Sequence, residues 1–250
     1  MNFPWYGPAV FALVTMGAVG LLVIQFYDNA WQHRQETIAA DFATMESAMT
    51  ATLKSHVEFL NILAEDFSEA QVDRKTLSKR LDKFLQTHPE ILSVALYDAA
   101  GNRKWKYPLS IIDPKAPGLM PDAMATAFTE MLNSEETTFS KAYVDPGGLS
   151  LVASLVPVVY ELNLSHGLVC QVRLKQLLEV ALKGTFFEKY GIRLVTSGGD
   201  VVADFADPSR DYSSLTKGGA LVMAPDLELR LVRYGTPVSL PLLLLLFPYS

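Results

Sequence analysis

The chain has 250 residues, 50% of them hydrophobic and 19% charged, enough for about 200 residues of globular core beside one membrane segment and too apolar for disorder. A net charge of −6 and a pI near 5.2 leave no basic face to neutralise phosphates, so no nucleic-acid partner is expected. The single cysteine, Cys170, excludes an intramolecular disulfide, and the alternating run Gly167 to Val172 around it predicts a buried strand thiol.

Residues 1–27 carry no charged side chain, and the apolar stretch from Pro8 to Tyr27 is about 20 residues, or about 30 Å of helix, the thickness of a hydrocarbon core. Trp5 and Tyr6 at one end and Phe26, Tyr27 and Trp31 at the other form an aromatic belt for the two interfaces. A secretory signal would carry an N-terminal Lys or Arg and a small-x-small cleavage site after the apolar run; with neither, an uncleaved anchor is expected. His33 and Arg34 are the basic side chains on the far side, and charge alone does not decide the orientation.

From Asp28 to Phe67 there is no Pro or Gly, and Ile38, Phe42, Met45, Met49, Leu53, His56, Phe59, Leu63 and Phe67 recur at spacings of three and four. This predicts one long helix whose narrow stripe suits a partner helix, as in a parallel homodimer, or a sheet edge. A shorter helix carrying Leu77, Leu81, Phe84 and Leu85 stops at His88-Pro89, because the residue before proline avoids the α region. Ile91 to Asp98, the turn Ala99 to Asn102, and Arg103 to Tyr107 then read as a hairpin.

Pro108 to Pro121 contains four prolines and a glycine and reads as a loop, followed by a helix over Asp122 to Asn133. Strands are expected over Thr138 to Val144, Leu149 to Tyr160 and Gly167 to Leu174, with turns at Asp145 to Gly148 and Asn163 to His166. After a helix from Leu177 to Lys183 the pattern restarts. Tyr190 to Thr196, the turn Ser197 to Asp200 and Val201 to Asp204 repeat the earlier hairpin, and Ala220 to Met223 and Leu227 to Tyr234 follow as strands.

The order of anchor, long helix, the segment Pro89 to Gly101, the strand Leu149 to Tyr160 and the segment His166 to Leu174 resembles a double Cache (PDC, PAS-like) extracytoplasmic sensor over about residues 28 to 236. Such domains belong to bacterial membrane sensor proteins (sensor kinases, chemoreceptors and cyclic-di-nucleotide enzymes) and would relay ligand occupancy through the long helix; the nearest arrangement is that of C4-dicarboxylate-type sensor histidine kinases of two-component systems. The resemblance implies an α+β fold: a transmembrane helix and long helix, then two PAS-like lobes with antiparallel sheets. The implied division is an anchor (1–27), a helical segment (28–88), a membrane-distal lobe (89–183), a smaller membrane-proximal lobe (184–236) and the start of a truncated second membrane segment (237–250). It also implies an inner-membrane protein with its bulk in the periplasm. The apolar run from Leu240 to Phe247 falls short of a full span.

No catalytic constellation is evident. The four histidines, His33, His56, His88 and His166, lie far apart without metal-like spacing, so no metal or cofactor is expected. Gly198-Gly199-Asp200 opens like a diguanylate cyclase signature, but Val201-Val202 stand where Glu-Phe belongs, and a hairpin turn accounts for it. Kinase boxes are also missing, so no enzyme is expected in this stretch of chain.

The best site signal is Arg103-Lys104-Trp105-Lys106-Tyr107, where strand alternation predicts Arg103, Trp105 and Tyr107 on one face as a ligand wall and the two lysines on the other. Such an arginine can hold a carboxylate bidentately while the rings cover the rest of a small molecule. Tyr143 and Asp145 offer a hydroxyl and a carboxylate for an amine. Amino-acid-sensing Cache domains carry an Arg-x-Trp-Tyr element with later Tyr and Asp residues; here Lys106 separates the Trp from the Tyr. The expected partners are therefore a small organic acid or amino acid, the lipid bilayer, and a second copy through the long helix. The alternative is a periplasmic interaction or dimerisation module without a small-molecule ligand.

Overall fold

The computed structural model describes residues 6–68, 74–108, 120–160, 163–182 and 184–235. Trp5, most of the proline-rich loop and the expected second membrane segment lie outside the described residues. In chain order the elements are α1 (Tyr6–Ser68), α2 (Arg74–Thr87), β1 (Ile91–Asp98), β2 (Arg103–Tyr107), α3 (Asp122–Ser134), β3 (Thr138–Phe139), β4 (Tyr143–Val144), β5 (Ser150–Tyr160) and β6 (Asn163–Arg173). They continue with α4 (Leu174–Ala181), α5 (Gly184–Lys189), β7 (Tyr190–Thr196), β8 (Val201–Asp204), β9 (Tyr212–Ala220) and β10 (Leu227–Tyr234).

The apolar N-terminal segment and the amphipathic segment are one uninterrupted 63-residue helix. Its first part has a mean hydropathy of 2.1 and is covered by none of the other described residues, with Phe11, Leu13, Leu22 and Phe26 all exposed. By length and composition it can cross a bilayer. Beyond it the stripe of Ile38, Phe42, Met45, Met49, Leu53, Val57, Leu60 and Leu63 is buried. These side chains form one cluster with both sheets.

This corrects the homodimer reading of the stripe. It is buried within the chain against both sheets, the sheet alternative of that reading, and so is not the face a second copy would use.

The first sheet is antiparallel, in the order β2-β1-β6-β5-β3, with β4 also on β5. Its two faces are covered differently. Val94, Val152, Val156, Leu168, Cys170 and Val172 pack on α1, whereas Ala95, Tyr97, Ala153, Leu155 and Val169 pack on Met124, Ala127, Phe128 and Met131 of α3. The second sheet is antiparallel, in the order β8-β7-β10-β9, and its Ile192, Leu194, Leu229 and Leu231 join the α1 cluster. Tyr190 on β7 donates a 2.6 Å hydrogen bond to Asp41 of α1. Asp226, just before β10, accepts from Ser197 at 2.6 Å and from the Ala142 amide, which precedes β4 of the first sheet, at 3.1 Å. The architecture is thus the expected α+β arrangement of a long helix and two antiparallel sheets.

Several expected boundaries moved for identifiable reasons. Asn163 to His166 is strand rather than turn, since the ladder with β5 runs on to Tyr160↔Asn163 and pairing overrides the polar composition. The strand expected over Thr138 to Val144 is split because Ser140 places its hydroxyl where a backbone acceptor would be, taking the Ala153 amide at 2.9 Å. β9 was obscured by Lys217-Gly218-Gly219. A Cβ on Gly219 would sit 3.0 Å from Phe42 Cζ, so the glycine marks where α1 approaches the sheet closely.

Candidate functional site

The β1–β2 hairpin is closed by Asp98, whose carboxylate accepts from the amides of Ala100 (3.1 Å) and Asn102 (2.8 Å), with Gly101 at φ 78° completing the turn. Lys104 lies 2.7 Å from Asp98. The Lys104 ammonium, bonded to Asp98 together with the Asn102 amide, holds that carboxyl well below the usual carboxylate range.

The register shifts between Leu96 and Tyr97: Leu96 faces Trp105, but Tyr97 faces Arg103, so a bulge falls at Lys104. Residues directly opposite share a face. Trp105 therefore follows Leu96 and Val94 toward α1, where its ring meets Phe67 edge-on at 5.7 Å and stacks with Tyr107 at 6.2 Å. The Tyr107 hydroxyl donates to Asp82 of α2. Arg103 goes with Tyr97, and Lys106, opposite Ala95, joins it on the face under α3.

The single wall expected from Arg103, Trp105 and Tyr107 is thus not formed. The bulge divides it, giving the rings to the core and the arginine, with an unexpected lysine, to the other face.

That other face carries a polar line within apolar surroundings. The Ser93 hydroxyl donates to Gln171 Oε1 at 2.8 Å, Gln171 Nε2 donates to the Tyr143 hydroxyl at 2.8 Å, and that hydroxyl points to Met124 Sδ at 3.5 Å. The line crosses β1, β6 and β4 and ends on α3. Burial pushes the Tyr143 phenol up to about 12, against the hydrogen bond from Gln171 and with help from Tyr97 and Asp145. Lys106 is pulled below the ordinary lysine value, first by burial and then by Arg103, with Asp145 opposing. Burial also raises Tyr97, with Arg103 opposing. Asp145 itself caps the β4–β5 turn, accepting the Leu149 amide at 2.8 Å.

The register sends Trp105 and Tyr107 to the α1 face, while on the other face the charges of Arg103 and Asp145 both act on Lys106 and that of Asp145 on Tyr143. It adds Ser93, Tyr97, Lys106 and Gln171, which the sequence reading missed. Only cross-strand register could have found them, since Gln171 reaches Ser93 over 78 residues.

The histidines also need correction. His56 of α1, His88 at the end of α2 and Glu90 before β1 converge, with one ligand-type atom from each lying within 4.8 Å of the others. Sequence spacing hid this because the chain between His56 and His88 doubles back through α2.

No family model matches the sequence, and no curated protein matches it. Solved structures do. The ligand-binding domain of the Pseudomonas aeruginosa amino acid chemoreceptor PctC, in complex with GABA, superposes with a TM-score of 0.56 at 16% identity, covering 81% of this chain and 99% of that one. The ligand-binding domain of the Pseudomonas fluorescens chemoreceptor CtaA, in complex with L-alanine, gives 0.54 at 14% identity over 80% of this chain and 96% of that one. An extracellular domain assigned to a histidine kinase, rpHK1S-Z16, gives 0.53 at 12% identity over 76% and 91%. The chain shares its fold with these ligand-binding domains.

Proposed function

We propose that the chain is the periplasmic, non-enzymatic ligand-sensing region of a receptor held in the bacterial inner membrane by the first part of α1, and that it binds a small organic acid or amino acid between the first sheet and α3. The observation that carries this reading is the pair of cations, Arg103 and Lys106, on a half-buried face otherwise lined by Tyr97, Tyr143 and Gln171. Lys106 is disfavoured as a cation by burial and by Arg103, and a carboxylate placed between the two would restore it. The Tyr143 hydroxyl now addresses a thioether, a weak acceptor that a carboxylate oxygen outcompetes. Asp145 supplies the counter-charge for a ligand ammonium.

The named ligands of the structural neighbours, GABA and L-alanine, favour an amino acid over a C4-dicarboxylate. Under this reading residues 89–183 form the ligand-binding lobe and 184–236 the lobe nearer the membrane. Occupancy reaches the membrane through α1 by population shift, to the extent that the ligand's affinities for two arrangements of α1 against the sheets differ. A homodimer contact through α1 falls to its outward face, the inward stripe being used within the chain.

The test is calorimetric titration and thermal shift of the full chain in detergent micelles against GABA, L-alanine, L-arginine, succinate and malate. Binding should appear for at least one and be lost in Arg103→Ala and Lys106→Met. A bound carboxylate with unchanged affinity in both variants would overturn the site.

A further inference from the structure

Away from that face, His56, His88 and Glu90 meet where α1, the end of α2 and the start of β1 converge, and we propose that they form a binding site for a divalent transition cation, zinc in the first instance. The proposal goes beyond ligand sensing on the α3 face and does not depend on it.

His56 and Glu90 are both 0% exposed, and His56 Nε2 lies 2.7 Å from Glu90 Oε1. Yet His56 Nδ1 and Glu90 Oε2, equally buried, have no hydrogen-bond partner among the described residues. Buried polar atoms are almost always satisfied, so a buried imidazole and carboxyl group that each leave one ligand atom bare are where an ion is to be sought.

His88 supplies the second, independent indication. Its Nδ1 lies 3.0 Å from both the Phe84 carbonyl oxygen and the Thr87 hydroxyl oxygen; the tautomer with its proton on Nδ1 satisfies the carbonyl, which can only accept, and leaves the Nε2 lone pair for a cation. A ring nitrogen anchored to a backbone carbonyl is how proteins orient a metal-binding imidazole. Phe84 lies against the His88 ring at 4.3 Å and is itself stacked on Phe59 at 3.6 Å, giving the cluster an apolar collar.

Two imidazoles and one carboxylate form a donor set suited to zinc and its neighbours, whereas magnesium and calcium take oxygen ligands. Tetrahedral coordination with bonds of about 2.0–2.1 Å sets donors about 3.3 Å apart. The three ligand atoms, now within 4.8 Å of one another, would draw in to that spacing. His88 is half-buried, which leaves a path for the ion and room for a water as fourth ligand. A cation here ties the helix that leads to the membrane directly to the first strand of the first sheet.

The test uses the full chain without a polyhistidine tag, stripped with chelator in detergent micelles and titrated with Zn2+. One zinc per chain should bind with micromolar or tighter affinity, and Co2+ should give the visible ligand-field bands of a tetrahedral nitrogen–oxygen site. His88→Gln, at a half-buried position, and Glu90→Gln should each weaken binding by at least about tenfold. If Glu90→Gln does not fold, the wild-type cobalt spectrum and His88→Gln decide. No stoichiometric zinc, or an affinity unchanged in His88→Gln, would reduce the cluster to a buried ion pair and overturn the proposal.

Discussion

Gly167 sets how closely α3 can sit on the proposed ligand-binding face. It lies on β6 directly under α3, and a Cβ there would come within 2.6 Å of both Phe128 Cε2 and Met131 Cε. Gly167→Ala should destabilise the protein by about 1–3 kcal/mol through overpacking and weaken ligand binding as α3 is pushed off the sheet, read by urea denaturation and calorimetry of one preparation. Arg103 and Trp105 should behave oppositely, having been separated by the bulge. Arg103→Ala should abolish carboxylate binding and cost less than about 0.5 kcal/mol of unliganded stability. Trp105→Ala should cost about 2 kcal/mol, less than the about 3–5 of a fully enclosed indole because the ring is only partly buried, and should reduce affinity little.

The β1–β2 hairpin has a pH dependence with a definite sign. Asp98 has its carboxyl depressed below the ordinary 3.8 by Lys104 and Asn102, so its contribution is fully present above the unfolded value and is lost as pH falls below 3.8. Asp98→Asn should therefore be less stable than wild type near pH 6 and should lose less on going from pH 5 to pH 3, as chemical denaturation at each pH will show. The long helix offers a second test. In a Cys170→Ser background, Met49→Cys should resist a thiol reagent in the native protein, and Lys54→Cys should react readily. Met49 is 0% exposed against the sheets, whereas the Lys54 side chain is 68% exposed. Cross-linking between copies through Met49 would contradict the packing.

For the molecule as a whole, the continuity of α1 from its uncovered apolar segment to the sheets makes the helix both tether and spine. The expressed chain should fractionate with membranes and retain Met1 or Asn2; a mature N-terminus near Asn29 would show cleavage instead. The helix touches the first sheet through the stripe and the second through Phe42 and Asp41. A shift at either sheet is thus transmitted to one rigid element, and Trp105 and Tyr107 add links from β2 to Phe67 of α1 and Asp82 of α2. Occupancy of the α3 face should slow hydrogen exchange in β1, β6 and the adjoining turns of α1.

Local pattern alone determined the apolar N-terminal segment, the long helix and the first hairpin. Each rests on periodicity or on turn chemistry that acts within a few residues: the three-four spacing from Ile38 to Leu63, the stop at His88-Pro89, and the Gly101 and Gly199 turns, both at positive φ. What covers the stripe, where β9 runs and which residues share a face were decided only in the tertiary structure. A one-residue bulge at Lys104 moves Arg103 across the sheet, and nothing in Arg103 to Tyr107 encodes it, because register is set by the partner strand and not by the strand's own alternation. His56, His88 and Glu90 meet for the same reason: their proximity is created by the packing of α1 against α2 and β1, a contact that spacing along the chain does not contain.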